Sequence, residues 1–275
     1  MKLSNLVIHD GGYCRQWEYL AGVPSKKRRK FHAAMVSFQH PSHGHCLLDT
    51  GYGPWVRQAT RTFPERIHRW LTPMETGQAF DQPGYLQRHG WDQAPPSTIF
   101  LSHFHVDHIG GTQFFSDGQF VYRHSTYQTL GKMGRVASMQ HGFLPKLLPP
   151  DFEQRGQGFP ETLWHSDERL PGFRTIDYWG DGSLLLVDLP GHALGHLGFY
   201  LELTEGPLFY VTDAFWDARC FFGSGRLPLV SRAAQHSIAD YRETQQKLLT
   251  WCRRTGQTVW ACHCPETQKR FSQRP

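Results

Sequence analysis

The stretch TIFLSHFHVDHIGGTQFF, residues Thr98–Phe115, places three histidines and an aspartate within six positions, directly after an apolar run. Ionisable side chains are costly to bury unless they are paired, hydrogen-bonded or bound to a metal. With 17 histidines in 275 residues, the spacing H-x-H-x-D-H is expected by chance roughly 0.003 times per chain. The stretch therefore predicts a metal-binding cluster.

The apolar half of this stretch predicts a buried strand, STIFLSHFH, that runs straight into the cluster. Side chains alternate between the two faces of an extended segment, so His103, His105 and Asp107 are expected on one side. A bend into a helix near Asp107 would turn His108 toward the same cavity. Four ligand-type groups are thus expected at one strand-to-helix junction.

Three further ligand-type residues stand in or just after other apolar runs. His192 follows VDLPG, Asp213 follows LFYVT, and His263 lies in TVWACHC. Loops at strand ends commonly carry functional residues. A lone histidine is more often a hydrogen-bonded structural residue. Together with the cluster, the other three residues predict two metal shells.

These motifs, in this order, resemble those of the metallo-β-lactamase superfamily of hydrolases. The resemblance covers most of the chain and rests on LLDTGYG, SHFHVDHIGG, LPGHALGH, YVTDAFW and WACHCPE. It implies an α+β fold, a four-layer αβ/βα sandwich of two mixed β-sheets flanked by helices. The length of the chain predicts one domain over residues 1–275. The proline-punctuated segment at about 125–168 predicts a partly helical excursion that covers a pocket.

Position by position, the resemblance implies two divalent metal ions held by a set of histidines and aspartates. One ion would be held by His103, His105 and His192, the other by Asp107, His108 and His263, with Asp213 bridging the two. Asp49, in LLDTGYG, would fix a ligand loop by hydrogen bonds. His196, in GHALGH, would be a supporting or structural residue, because the family ligand is the histidine directly after Pro-Gly. Imidazole and carboxylate ligands favour Zn²⁺, although they also accept Mn²⁺, Fe or Co²⁺.

The predicted reaction is hydrolysis. Two ions about 3.5–4 Å apart can share a bridging hydroxide, bring its pKa toward about 7, and polarise a carbonyl or phosphoryl oxygen. That hydroxide would attack a lactone or other ester-type carbonyl. Asp107 can also accept the proton of the attacking water and pass it to the leaving group, so it is predicted to be catalytic as well as a ligand.

The substrate is predicted from a narrower resemblance. The long segment between DTGYG and the cluster, and FLPKLLPPDFEQ (Phe143–Gln154), look most like the N-acyl-homoserine lactonase branch. In that branch a tyrosine three residues after the bridging aspartate helps to bind the lactone carbonyl, and here that position is Trp216. An indole N–H can donate a hydrogen bond but cannot act as a phenol. Phe104, Phe215 and Trp216 are the predicted wall for an acyl chain, with ordinary core packing as the alternative.

Other activities use the same ligands, and the sequence leaves them open. Hydrolysis of phosphoesters, phosphotriesters or thioesters is an alternative. A β-lactamase would normally be exported, which the lack of a signal peptide argues against, and a tRNA-processing nuclease would need an RNA-clamping arm, which the sequence does not show. Outside enzymes, the alternative is a non-catalytic metal-binding sensor, and the full ligand set argues against it.

Composition predicts the setting of the protein. The net charge of +5 is partly due to one basic run, SKKRRK (Ser25–Lys30), in which no aromatic residues interleave; this favours a solvated loop over a nucleic-acid patch. No stretch approaches the length of a transmembrane helix. Six dispersed cysteines fit a reduced cytoplasm. The expected partner is a small ester or lactone, with neither nucleic acid nor membrane.

Apolar runs and turn signals predict the remaining elements. Strands are predicted over Ala33–Phe38, Cys46–Gly53, Gly118–His124, Ser183–His192, His196–Leu203, Pro207–Trp216 and Thr258–Cys264. A helix is predicted from about Ile238 to Arg254. Trp55–Arg88 is expected to hold one or two helices interrupted at Pro64, Pro73 and Pro83.

Overall fold

The computed structural model describes residues 1–75, 84–223 and 225–270. The chain divides into two compact units. The described part of unit 1 comprises residues 1–4, 16–29, 161–223 and 225–270, and that of unit 2 comprises residues 5–15, 30–75 and 84–160. The expectation of a single domain over 1–275 stays a prediction.

Unit 2 is built on a sheet whose strands are β1 Ser4–Trp17, β2 Arg28–His40, β3 Gly44–Leu48, β4 Met74–Glu75, β5 Thr98–Phe100, β6 Gln119–Arg123 and β7 Gly156–Phe159. Among the described residues this sheet has seven strands, in the order β4-β1-β2-β3-β5-β6-β7. β1 pairs antiparallel with β4 and β2 with β3, whereas β3, β5, β6 and β7 run parallel. The sheet is therefore mixed, as expected.

The parallel half of this sheet forms the core of unit 2. Leu48, Phe100 and Val121 lie side by side on β3, β5 and β6, and each is at most 1% exposed. Parallel strands that are covered on both faces carry continuous apolar runs, which explains why the sequence signal for them is strong. Because β3 and β5 are parallel, the residues that follow them, Asp49 and the histidine cluster, emerge at the same edge of the sheet.

Helices in the described part of unit 2 are short: α1 Trp55–Ala59, α2 Arg66–Leu71, α3 Gly84–His89, α4 Val106–Ile109, α5 His124–Gly131, α6 Arg135–Gln140 and α7 Phe152–Arg155. Three of them, α1, α2 and α3, lie in or reach into Trp55–Arg88, where the sequence predicted one or two helices interrupted by prolines. Pro83, one of the predicted interruptions, lies outside the described residues. The excursion at 125–168 is partly helical, as expected.

Unit 1 is built on a second sheet, with strands β8 Thr175–Asp177, β9 Leu184–Asp188, β10 Leu197–Leu201, β11 Leu208–Thr212 and β12 Val259–Ala261. In the described residues its order is β12-β11-β10-β9-β8, antiparallel except for the parallel pair β11 and β12. Its helices, again as far as the chain is described, are α8 Ala218–Phe221, α9 Leu229–Ala233, α10 Ile238–Thr255 and α11 Pro265–Gln268. β8 is an element that the sequence did not predict.

Helix α10 occurs where the apolar period predicted it. It begins after Ser237, whose side chain accepts a hydrogen bond from the backbone N–H of Asp240, and it ends at Gly256, whose φ of 69° is left-handed. One face is buried, formed by Tyr241, Thr244, Leu248, Trp251 and Cys252. Leu248, Trp251 and Cys252 join the apolar core of unit 1.

Several strands are shorter than predicted, and β5 shows the reason. It ends at Phe100, not at His105. Leu101 still donates to the carbonyl of Val121 on β6, but the next amide, Ser102, donates to the carboxylate of Asp49. The carboxylate of Asp49 thus accepts the hydrogen bond that a backbone carbonyl of the neighbouring strand would otherwise accept, and the strand ends. His103 and His105, which follow, lie in a loop.

The basic run Ser25–Lys30 is not a solvated loop throughout, which corrects the expectation from the sequence. Its second half begins β2, and the side chain of Arg29 is only 13% exposed. Arg29 donates to the carbonyl oxygens of Trp216 and His263 and pairs with Asp217 at 3.2 Å. The guanidinium is buried because it has partners for its donors there.

Two further expectations concern the cysteines and a membrane-spanning helix. The six cysteines are all free thiols, five of them buried. In the residues described here, no helix combines the length and the hydropathy that crossing a bilayer would require.

Candidate metal centre

In unit 2 the structure brings together three of the predicted histidine ligands. The ring centroid of His103 lies 4.4 Å from that of His105 and 4.0 Å from that of His108. The carbonyl of His105 accepts the first hydrogen bonds of α4, so the chain turns into a helix directly after it. That turn places Asp107 beside the cluster, with Oδ2 3.9 Å from Nε2 of His108.

The buried carboxylate of Asp49 supports this cluster through hydrogen bonds. Oδ2 of Asp49 accepts from Nδ1 of His108 and from Oγ of Ser102, both at 2.8 Å, and Oδ1 accepts from the Ser102 amide. Oγ of Ser102 lies 2.9 Å from Nδ1 of His103. Hydrogen bonds at Nδ1 orient each ring so that Nε2 lies at its opposite edge, which is the usual arrangement behind metal-ligating histidines. Ser102 is a participant that the sequence did not reveal.

The backbone of Asp49 has a left-handed φ of 58°. This region is sparsely populated by residues other than glycine, although aspartate and asparagine tolerate it best. Asp49 follows β3 directly, so the left-handed turn is what directs its carboxylate toward Ser102 and His108. Strain of this kind is typical of functional sites.

Two residues around the exposed side of the cluster were also missed. The ring of His105 packs against Gly142, where an added Cβ would lie 2.5 Å from Cδ2 of the imidazole. Gly142, in the predicted excursion, has a φ of 66°, so both space and backbone conformation require glycine. His68, on α2, lies close enough to Asp107 for an electrostatic interaction between the two side chains. Burial lowers the pKa of His68, and the charge of Asp107 opposes that shift.

In unit 1 the predicted bridging residue lies between two histidines. Oδ2 of Asp213 is 3.3 Å from Nε2 of His192 and 3.2 Å from Nε2 of His263. All three residues are at most 6% exposed. Asp213 directly follows β11, and Thr212 before it has a left-handed φ of 48°, a strained conformation for a β-branched residue. The strained turn thus directs the carboxylate.

Other side chains hold these histidines in place. Nδ1 of His192 lies 3.0 Å from Oε1 of Gln235, whose amide donates to the carbonyl of Ser231. His196 uses both ring nitrogens within the protein: Nδ1 donates to Leu189 O at 2.8 Å, and Nε2 accepts from the amide of Asp213. His196 therefore has the contacts of a structural histidine that supports Asp213.

Trp216 lies over the same carboxylate. Its indole N–H points at Oδ2 of Asp213 across 3.4 Å, a long hydrogen bond, and its ring meets that of His192 edge-on at 5.8 Å. Burial lowers the pKa of Arg29, whose guanidinium donates to the carbonyls of Trp216 and His263, while the charge of Asp217 opposes the shift. Arg29 thus ties together the two loops on which Trp216 and His263 lie.

The other two predicted pocket residues lie in aromatic clusters. Phe104 is 3% exposed and lies 5.6–5.8 Å from the rings of Tyr122, Tyr127 and Phe143. Phe215 is 2% exposed and stacks on Phe221 at 4.2 Å. This is the core packing that stood as the alternative, and their role in lining a pocket stays a prediction.

The donor sets of both units suit a divalent metal ion. Unit 2 offers three imidazoles and a carboxylate, and unit 1 offers two imidazoles and a carboxylate. In unit 1 the ligand atoms of Asp213 and His263 lie within 4.8 Å of each other and of the thiol of Cys262, which the sequence did not single out. Nitrogen and carboxylate donors that are oriented by hydrogen bonds at their far side fit Zn²⁺ or a similar ion.

Comparison with known proteins supports this interpretation. The chain matches the family model described as the metallo-beta-lactamase superfamily over residues 42–249. It is 27% identical to the N-acyl homoserine lactonase AttM of Rhizobium johnstonii over 192 residues, covering 68% of this chain and 65% of that protein. The chain thus spans just under two thirds of the length of this curated relative.

Solved structures share the fold. A mutant of AiiA of B. thuringiensis, solved with N-decanoyl-L-homoserine bound at the active site, superposes with a TM-score of 0.71 over 98% of this chain and 96% of that chain, at 15% identity. AidC, described as a dizinc quorum-quenching lactonase, gives a TM-score of 0.64 over 96% of this chain and 90% of that chain, at 16% identity. The predicted α+β fold class and the predicted resemblance are confirmed. The chain belongs to the metallo-β-lactamase superfamily.

Proposed function

We propose that the chain is a metal-dependent hydrolase that opens lactones or related esters. One observation carries the proposal: a single carboxylate oxygen of Asp213 lies within 3.3 Å of the Nε2 atoms of His192 and His263. Nδ1 of His192 faces the acceptor Oε1 of Gln235 and so carries the proton of the neutral ring, which turns the unprotonated Nε2 toward the carboxylate oxygen of Asp213. Two such electron pairs at close range are unfavourable without a cation between them. A shared ligand between two ions accounts for it.

The proposed ligands are those that the family resemblance implies. His103, His105 and His192 would hold one ion and Asp107, His108 and His263 the other, with Asp213 as a ligand of both. When bound, a pair of divalent ions, with Zn²⁺ as the expected metal, would lower the pKa of a water molecule and polarise the acyl oxygen of a substrate. Family membership and the oriented imidazoles of each unit support this assignment.

The protein's own residues supply proton transfer and orientation. Asp107 is half-buried at the start of α4, so its carboxylate is accessible to a substrate while it remains next to His108. A carboxylate there can accept a proton from the attacking water and deliver it to the leaving alkoxide. Asp49 and Ser102 hold two of the histidines in the orientation that this requires.

The substrate class rests on relatives and on Trp216. AttM is named as a lactonase, and AiiA was solved with an acyl-homoserine at its active site. Trp216 lies three residues after Asp213, and its indole N–H can donate to a substrate carbonyl in place of the long contact to Asp213. We therefore propose a small acyl lactone as the substrate.

The six free thiols support a reducing compartment such as the cytoplasm.

The test is turnover measured on protein of known metal content. Purified chain is loaded with Zn²⁺, Mn²⁺ or Co²⁺, and the metal per chain is determined by mass spectrometry. It is then assayed with acyl lactones of several chain lengths, aryl esters, thioesters, nitrocefin and phosphotriesters. The expected result is about two ions per chain and hydrolysis of lactones ahead of the other classes.

Two histidine variants serve as the test and the control for metal binding. His103→Ala, at a proposed ligand, should lose metal and turnover together, whereas His165→Ala, at an exposed histidine of unit 1, should lose neither. Saturation at one ion or fewer would contradict the two-ion site. Full metal content without turnover of any substrate in the panel would contradict the enzymatic role and favour a metal-binding sensor.

A further inference from the structure

Unit 1 contains a cavity of about 340 Å³ whose lining includes none of the proposed metal ligands. Its lining residues come from α8, from residues 225–227, from α9 and from the first two turns of α10. Three arginines line it, Arg226, Arg232 and Arg242, and no acidic side chain does so among the residues that the structure describes. A concave surface with only cationic charge attracts anions.

The start of α10 adds to this positive potential. Ile238, Tyr241, Arg242 and Gln245 line the cavity at positions i, i+3, i+4 and i+7, which is one face of the helix. The helix is 18 residues long, and these residues belong to its first two turns. The N-terminal end of a helix carries partial positive charge and favours bound anions.

The hydroxyl group of Tyr241 is an independent observation that points to a ligand. The residue is 2% exposed, and within the described residues its buried hydroxyl has no hydrogen-bond partner. Burial raises the pKa of the phenol well above its ordinary value, with smaller contributions from Cys220, another lining residue, and from Asp213. The hydroxyl therefore keeps its proton as a donor, and buried donors without an acceptor are rare in native proteins. Tyr241 is itself one of the residues that line the cavity.

The remaining lining residues suggest the kind of molecule. Nε of Arg232 donates to the carbonyl of Leu227, which fixes its guanidinium against the wall, whereas Arg226 and Arg242 are exposed at the rim. Leu227 and Ile238 add apolar surface. Planar guanidinium groups bind carboxylate and phosphate oxygens with paired hydrogen bonds.

We propose that this cavity is a binding site for a small molecule that carries an oxyanion beside a short apolar portion. The oxyanion is held by Arg226, Arg232 and Arg242, and the hydroxyl of Tyr241 donates to one of its oxygens. The apolar portion lies against Leu227 and Ile238. This site is separate from the hydrolytic reaction proposed above and does not depend on it.

The experiment uses the full chain with its metal bound. Inorganic phosphate, acetate and hexanoate are titrated against the protein at constant ionic strength made up with chloride, and the melting temperature and the heat of binding are measured. Saturable binding of at least one of the three is expected. Absence of saturable binding for all three would overturn the proposal.

Charge variants locate the bound anion, because a metal centre can also bind these anions. Arg226→Gln combined with Arg242→Gln should weaken binding about tenfold, while Arg253→Gln combined with Arg254→Gln, at the exposed end of the same helix, should change it less than twofold. Equal affinity in the two double variants would place the anion elsewhere and overturn the proposal. Gln245 is left intact because its amide donates to the carbonyl of Ala214, next to Asp213.

Tyr241→Phe tests the hydroxyl by itself. Without added anion this variant should melt no lower than the parent protein, because the removed hydroxyl has no described partner. Its gain in melting temperature with the anion should be several-fold smaller. A lower melting temperature without anion, together with an unchanged gain, would overturn the assigned role of Tyr241.

The choice of anions identifies the source of the oxyanion. Tighter binding of hexanoate than of acetate supports a carboxylate with an apolar portion against Leu227 and Ile238. Tighter binding of phosphate than of either carboxylate supports a phosphate-bearing molecule in the same site.

Discussion

Nδ1 of the buried His108 donates a hydrogen bond of 2.8 Å to Oδ2 of Asp49. The two residues are 59 positions apart, one after β3 and the other in α4, and parallel pairing of β3 with β5 brings them to one sheet edge. The Asp49 carboxylate also accepts from the side chain and the amide of Ser102. It therefore orients a whole ligand loop.

Asp49→Asn should weaken metal binding by about 10–100-fold, because an amide cannot accept all of these hydrogen bonds. Asparagine tolerates the left-handed φ of 58°, so the backbone should stay in place. Affinity is measured by competition with a chromophoric chelator. The matched control is Asp117→Asn, an exposed aspartate of the same unit, and equal affinities in the two variants would refute the orienting role.

Asp107→Asn should lower kcat by about 100-fold or more while metal content falls much less, because an amide can still ligate through oxygen but cannot accept a proton. Metal per chain and kcat are measured on the same preparation. A parallel fall of both quantities would mean that Asp107 acts only as a ligand.

Trp216→Phe should raise KM for a lactone about tenfold with a smaller effect on kcat, because the ring is kept and one hydrogen-bond donor is lost. Trp216→Tyr, which restores a donor, should recover part of the loss. Trp164→Phe is a matched control, since its indole N–H also donates to a carboxylate, that of Glu161, far along the chain from the ligands. Unchanged KM in Trp216→Phe would exclude a contact between the indole and the substrate.

Arg29→Met should lower the free energy of unfolding by about 3 kcal/mol, because it leaves the buried Asp217 and two carbonyl oxygens without this partner. Arg219→Met removes another arginine that pairs with Asp217, but its side chain is 53% exposed. Its expected cost is below about 1 kcal/mol. Urea unfolding measures both, and similar losses would contradict the structural role assigned to Arg29.

His68→Gln should reduce the sensitivity of the fold to acid. The folded-state pKa of His68 is lowered below its ordinary value of 6.5, so the unfolded chain takes up the proton first as the pH falls. The parent protein should therefore lose stability below about pH 6.5, by up to about 1.4 kcal/mol per pH unit, and the variant should be spared this contribution. The measurement is urea unfolding at pH 7.5 and pH 5.5 at constant metal content. An identical pH dependence in both proteins would show that His68 takes no part.

Much of the fold was predictable, because local physics specifies it. The buried strands carry continuous apolar runs, and α10 has a helical apolar period together with a serine at its start and a glycine at its end. The ends of the strands were predicted less well. β5 stops at Phe100 because the next amide finds Asp49, and no local pattern encodes that choice.

The residues of the candidate site were also only partly predictable from the sequence. Spacing within one segment sufficed to single out His103, His105, Asp107 and His108, since only a short stretch of chain has to fold for them to meet. Ser102, Gly142 and Gln235 were missed, because serine, glycine and glutamine are common and only their contacts with His103, His105 and His192 distinguish them. The basic run was misjudged for a similar reason, since its composition does not reveal that Arg29 reaches Asp217.

By itself, the sequence determined which chemical groups are present and in what order: seven histidines and aspartates at strand ends, in the pattern of one superfamily. Tertiary structure alone decided how those groups are held. The left-handed turns at Asp49 and Thr212, the burial of Arg29 and the arginine-lined cavity at α10 all depend on contacts between residues far apart in the chain. Such contacts exist only after the chain has packed, since burial is what makes an unpaired polar group costly and so selects its partner.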